Sequence, residues 1–276
     1  MSYPTVHALT QARPQFPGEA VAILICDSPL HAEASARRLA RQGVGSIVAL
    51  GCDWEFAEIG VPVLAVAERV SEARVREQIN PLIDHLHGRW VVWLWNGEFF
   101  VFPFGETRLI GDLTAFLSDE RRQSLFCYAF DLYARDLPGS EQAPELAELC
   151  FDAEGYHAFP KEDQQLRVFG GLGWRFQELL PETMRQIGRT TLFRAESGVH
   201  LERGMVFGDP VYASVSCPWH NNPTGAVMSL RRTRQIMAHP NFPPLRERLV
   251  WRGTERFRWT SEQLLELGMI EPGQWF

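Results

Sequence analysis

The sequence predicts an α/β protein built on a mixed, mainly parallel sheet flanked by helices. Two observations carry that expectation. The first is the run Ala20-Val21-Ala22-Ile23-Leu24-Ile25-Cys26, continuously apolar and ended by Asp27-Ser28-Pro29. A strand without polar alternation is one covered on both faces, the habit of central strands in α/β sheets. The second is the succession strand, helix, strand, strand, helix, strand between Ala20 and Trp95, the pattern of a parallel sheet with helical crossovers.

Each element has its own signal. Residues 1–19 hold three prolines and no periodicity, so they read as an N-terminal arm. After the first strand, Ser28 is the expected N-cap and Pro29 the first helical residue. That helix runs through Ala32, Ala36, Leu39 and Ala40 and stops at Gly43. Strands follow at Ser46–Leu50 and Val63–Val66. Residues Ser71–Leu86 place Val75, Ile79, Leu82, Ile83 and Leu86 on one helical stripe. Asn96-Gly97, between the apolar runs Val91–Trp95 and Glu98–Phe102, is the strongest short signal for a β-hairpin. A helix is expected at Thr107–Leu117, and a strand at Ser124–Tyr133. The acidic stretch from Pro138 to Asp163, with its prolines and glycines, reads as a mobile connection. Phe169-Gly170-Gly171-Leu172-Gly173 lacks the spacing of a phosphate loop and reads as turn geometry. Thr190–Phe193 reads as a further strand. In this division residues 20–228 form the main domain, and 229–276 form an Arg-rich C-terminal segment packed on it.

Composition bounds the function. The chain has 276 residues, of which 45% are hydrophobic and 12% aromatic, which excludes a disordered protein. Its longest apolar run, Ala20–Cys26, is too short to span a bilayer, and no signal peptide is visible, so a soluble, cytoplasmic protein is expected. Five scattered cysteines without a C-x-x-C pair suggest buried free thiols rather than a disulfide framework or a zinc site. The formal net charge is -7, yet Ser229–Arg258 carries eight arginines against Glu247 and Glu255.

Four features are candidates for chemistry. Asp27 lies just past the first strand, where open α/β sheets bind ligands and where a carboxylate suits a ribose or a base. Its alternative role is to assist the start of the helix. His220, in Trp219-His220-Asn221-Asn222, is either a ligand contact or an ordinary loop residue. Arg231, Arg232 and Arg234 head a cluster able to grip a diphosphate bidentately, or else form a solvated basic face. With Trp251, Phe257 and Trp259 interleaved, the cluster also fits stacking on single-stranded nucleic acid, which a pI near 5.7 disfavours. Glu98 and Asp131 are carboxylates at strand ends and so candidate bases.

The stretch Trp95-Asn96-Gly97-Glu98-Phe99-Phe100-Val101-Phe102-Pro103, the helix after it and Phe130-Asp131-Leu132-Tyr133 resemble a group of bacterial glycosyltransferases. These are family-two-like enzymes with the GT-A fold, whose pattern reads D-x-D-E-F-hydrophobic-hydrophobic-aromatic-P. Counterparts of their later segments are Phe169-Gly170-Gly171, Thr191-Leu192-Phe193-Arg194 and His220, so the resemblance extends from about Ala20 to Arg258. It implies a GT-A-like sheet, a nucleotide-sugar donor and an acceptor left unknown. The chain departs from the pattern where the metal-binding aspartates belong, because Trp95 and Gly97 stand there. Neither offers the oxygen ligands of Mg²⁺ or Mn²⁺, so no divalent cation is expected at the Asn96-Gly97 turn.

Two readings follow. In one, the protein is a metal-independent glycosyltransferase. Asp27, Asn96, His220, Arg231, Arg232 and Arg234 hold the nucleotide and its diphosphate, with Glu98 or Asp131 as the base. In the other, it is a catalytically inactive GT-A scaffold that binds a sugar, a nucleotide or a protein partner in the assembly of surface polysaccharide.

Overall fold

The computed structural model describes residues 1–135, 144–160, 166–209, 211–212, 222–242 and 249–275. In chain order they form β1 (Ser2–Tyr3), α1 (Val6–Ala12), β2 (Ala20–Ile25), α2 (Ala32–Arg41), β3 (Ser46–Leu50), β4 (Val63–Val66), α3 (Val75–His85) and β5 (Trp90–Trp95). Then come β6 (Glu98–Val101), α4 (Ile110–Asp119), β7 (Ser124–Asp131), β8 (Cys150–Asp152), β9 (His157–Pro160), β10 (Leu166–Phe169), α5 (Gly171–Arg175) and α6 (Glu182–Arg185). The last are β11 (Gly188–Arg194), β12 (Gly225–Ser229), α7 (Leu230–Met237), β13 (Thr254–Arg256) and α8 (Ser261–Glu266). The chain divides into two compact units. One holds Met1–Phe99, Thr107–Phe126 and Thr190–Ser214, and the other Phe100–Glu106, Cys127–Arg189 and Val215–Phe276.

The first unit is a helix-flanked, mixed and mostly parallel sheet with strand order β1-β4-β3-β2-β5-β11. Every pairing from β1 to β5 is parallel, while β11 runs antiparallel to β5. The apolar run of β2 is buried along its whole length, from Ala20 to Ile25, as its lack of polar alternation requires. Val21, Ile23 and Ile25 share one core with Val48, Leu50, Val75, Ile79, Leu82, Ile83, Trp93 and Phe193. The helical stripe expected on α3 is therefore its buried face.

Three expectations in this unit are corrected. The N-terminal residues are not a featureless arm. Thr5 caps α1 by accepting from the Ala8 N–H at 3.1 Å, α1 buries Val6 and Leu9, and β1 pairs with β4. Helix α2 starts at Ala32 rather than Pro29 because Ser28 is engaged elsewhere, accepting from the Asn96 side-chain amide at 3.1 Å. Asn96-Gly97 does not close a hairpin. The neighbours of β5 are β2 and β11, and β6 lies beside β12. Gly97 has the positive φ of a turn, 76°, but its N–H donates to the Ser35 hydroxyl at 3.1 Å rather than across a hairpin.

In the second unit β7 and β12 run parallel, in register from Cys127–Gly225 to Asp131–Ser229. The hydroxyl of Ser229 then caps α7, accepting from the Arg232 N–H at 3.0 Å. Two antiparallel pairs, β8 with β13 and β9 with β10, also belong to this unit. Its core holds Tyr133, Cys150, Leu172, Leu180, Ile236, Phe242 and Leu249. The acidic stretch expected as a mobile connection thus contributes β8 and β9 and buries Cys150, Phe151 and Asp152; residues 136–143 and 161–165 lie outside the described residues.

Candidate functional site

The order of strands in the first unit reverses between β2 and β5. The chain leaves β2 towards β3 and β4, then returns across β2 to β5. Ligands of open α/β sheets bind beyond the carboxyl ends of the strands at such a point. Here β2 leads into Cys26-Asp27-Ser28 and β5 into Asn96. The Asp27 backbone N–H donates to Asn96 Oδ1 at 3.1 Å, and Asn96 Nδ2 donates to Ser28 Oγ at 3.1 Å and to the Leu30 carbonyl at 2.9 Å. Asn96 is buried, so its amide serves as the organiser of the loop, and the Asp27 side chain is exposed. Helix α2 begins directly after this loop, with His31 at the N-cap in the left-handed conformation and no side-chain cap. Beneath the loop, burial pushes the Cys26 and Cys52 thiols up from their ordinary pKa, which leaves them poor nucleophiles.

The residues at the Asn96-Gly97 turn do not fit a divalent cation. Trp95 and Gly97 bring no side-chain oxygen, the Asn96 oxygen serves Asp27, and one Glu98 oxygen accepts from the Trp95 N–H at 2.9 Å. Glu98 is 1% exposed. Hard cations of this kind need several converging oxygens, and this donor set does not supply them.

In the second unit the structure brings Asp131 and Arg232 together. Arg232 Nε donates to Asp131 Oδ1 at 2.9 Å, and its terminal nitrogens donate to the carbonyls of Gln186 at 3.2 Å and Met184 at 2.9 Å. Asp131 Oδ2 accepts from the Leu172 N–H at 2.9 Å. The Phe169-Gly170-Gly171 segment owes its glycines to this packing. A Cβ on Gly170 would overlap the Tyr156 ring, and one on Gly171, at φ +65°, would overlap the Asp131 carboxylate. Arg231 is buried and Arg234 half-buried on α7, and His220 lies outside the described residues.

A second buried carboxylate lies in the same unit. Asp152 Oδ1 accepts from the Tyr133 hydroxyl, from Trp251 Nε1 at 2.7 Å and from Arg175 at 3.3 Å. Arg175 also donates to the Leu249 carbonyl at 2.9 Å, and its guanidinium lies over the Trp251 ring at 5.1 Å. Thr254 Oγ1 meets the Tyr133 hydroxyl at 2.8 Å, and the Tyr156 hydroxyl donates to the Asp152 carbonyl at 2.8 Å. Burial raises the pKa of Asp152 in spite of the attraction of Arg175, and it raises those of Tyr133 and Tyr156. Sequence reasoning missed this network, whose members are spread from Tyr133 to Thr254 without a motif.

A cavity of about 630 Å³ in the first unit lies against the first residues of β1 and β4, lined by Trp54, Phe56, Ile59 and Val63 among others. Among the described residues no helix is long and apolar enough to cross a membrane. No protein-family model matches the chain, and no curated protein matches it.

Proposed function

We propose that the chain is a glycosyltransferase-like protein of GT-A type, taking a nucleotide-sugar and passing its sugar to an acceptor without a standard metal site. The observation that carries the reading is the loop at the switch point of the first unit. There a buried Asn96 amide fixes the backbone of Asp27, an exposed residue. A carboxylate so placed accepts hydrogen bonds from ribose hydroxyls or a base N–H, and the adjoining start of α2 favours a phosphate. The mixed, mostly parallel sheet is compatible with this fold. With no metal, the charge of the departing nucleotide falls to backbone N–H groups and cationic side chains.

The test is turnover of a panel of UDP-, GDP- and dTDP-sugars with and without chelator, together with nucleotide affinity by calorimetry. Turnover indifferent to chelator is expected, with nucleotide affinity about tenfold weaker in Asp27→Ala, the loss of one or two charge-assisted hydrogen bonds. Turnover abolished by chelator, or nucleotide bound equally well without the Asp27 carboxylate, overturns it. A second reading, a non-catalytic binding protein on the same scaffold, is favoured by one observation: the two candidate bases, Glu98 and Asp131, are each 1% exposed and already hydrogen-bonded. Nucleotide binding without turnover selects that reading.

A further inference from the structure

The parallel strands β3 and β4 are joined by residues 51–62 without the helix that usually makes such a crossover. Along β4 burial alternates. Leu64 and Val66 sit in the core, while Val63 and Ala65 on the opposite face are half-buried. That half-buried face lines the cavity of about 630 Å³, together with Trp54, Glu55, Phe56, Glu58 and Ile59 of the connection. The connection is pinned at two points. The Cys52 thiol donates to the Trp54 carbonyl at 3.1 Å, and the Ala57 N–H donates to Glu33 Oε1 on α2 at 3.0 Å. The walls are thus preformed, and the volume is that of a small-molecule site.

The lining also has a definite charge. Trp54 and Phe56 are half-buried, their ring centroids 6.4 Å apart and their planes inclined by 35°. Glu55 and Glu58 are exposed and make no ion pair among the described residues. Among the described residues no Lys, Arg or His side chain lines the cavity. The N-terminal ammonium, which donates to the Val63 carbonyl at 3.3 Å, offsets one of the two carboxylates.

We infer that this cavity binds an organic cation, an alkylated ammonium carrying an apolar chain. Aromatic faces attract a cation through the ring quadrupole, and quaternary ammonium groups are the ligands best suited to them. A primary ammonium is strongly hydrated and gives up that water only for several acceptors. Methyl groups spread the charge and lower that cost, so Trp54 and Phe56 suffice at short range and Glu55 and Glu58 attract from the rim. The aliphatic wall of Val63 and Ile59 then takes the chain. An anion is disfavoured by both carboxylates. The inference stands independently of glycosyl transfer, because none of these residues belongs to the loop proposed to hold the nucleotide.

Calorimetry on the full chain tests it, with hexyltrimethylammonium as the probe and 1-hexanol and hexanoate as its uncharged and anionic counterparts. The cation is expected to bind at least tenfold more tightly than hexanol, and hexanoate more weakly than either. Affinity should fall about tenfold in Trp54→Ala. It should fall about threefold in the double variant Glu55→Gln/Glu58→Gln, whose exposed positions leave the fold untouched, and that difference should shrink at high salt. Equal affinity for hexanol and the cation overturns the inference and leaves a plain apolar cleft. So does a cation affinity unchanged in the double variant, or no binding of the cation at all. Self-association of the parent chain that Trp54→Ala abolishes, with the probe failing to compete, would assign the cavity to a second copy and overturn it equally.

Discussion

Asn96 accepts one hydrogen bond and donates two from a site 1% exposed to solvent. Truncation strands the Asp27 N–H, the Ser28 hydroxyl and the Leu30 carbonyl together, at roughly 0.5–1.5 kcal/mol for each bond. Asn96→Ala should therefore lose about 2–3 kcal/mol in urea unfolding. A loss below about 1 kcal/mol would mean that water replaces the amide and the loop is not organised by it. The neighbouring Trp95 and Gly97 make a separate prediction. A cation with no site in the native state cannot stabilise it, so millimolar Mg²⁺ or Mn²⁺ should leave Tm unchanged. A rise of several degrees that vanishes in Glu98→Gln would place a working metal site at this turn.

At the scale of elements, the Asp152 network ties β8 to α5 and to the segment running from Leu249 to β13. Its pKa is raised above the ordinary 3.8, so the folded state holds the proton more tightly than the unfolded chain. The stability this group contributes is fully present below the unfolded pKa and is lost as pH rises through the folded one. Asp152→Asn removes that dependence. The stability of the variant relative to the parent should thus climb as pH rises from about 4 through the raised pKa, whatever their constant offset. A difference that is flat, or falls, across acid denaturation curves contradicts the assignment. None of this is legible in the sequence, because Phe151-Asp152-Ala153 carries no pattern and the hydroxyls of Tyr133 and Thr254, which meet in the network, stand 121 residues apart. By contrast β2, β3, β4 and the stripe of α3 are legible, since burial on both faces or on one stripe writes itself into local periodicity. Helix α1 is hidden by its length of seven residues, with only Val6 and Leu9 buried. The β5–β6 turn has the composition of a hairpin, and tertiary hydrogen bonds to Asp27, Ser28 and Ser35 override it. Asp27 and Asn96 are each visible as polar residues at a strand end; the bond between them is not.

For the molecule as a whole, burial leaves a signature in alkaline titration. Tyr133, Tyr156 and Tyr212 all have their hydroxyls pushed above the ordinary value, chiefly by desolvation. These three phenols should resist ionisation at the pH where a tyrosine ordinarily titrates, and ionise as the structure is lost. Phenolate forming at Tyr133, Tyr156 and Tyr212 near about pH 10, with the fold intact, would contradict this desolvation. The loop at the switch point has a consequence in time as well as in space. Its hydrogen bonds join residues 66 to 69 positions apart, so no local contact rewards their formation until β2 and β5 are docked. Such bonds belong to the late, downhill side of folding, and their loss accelerates unfolding more than it slows folding. A nucleotide gripping Asp27 would then act as a brake on unfolding alone, lengthening the life of the native state while the rate of reaching it stays the same.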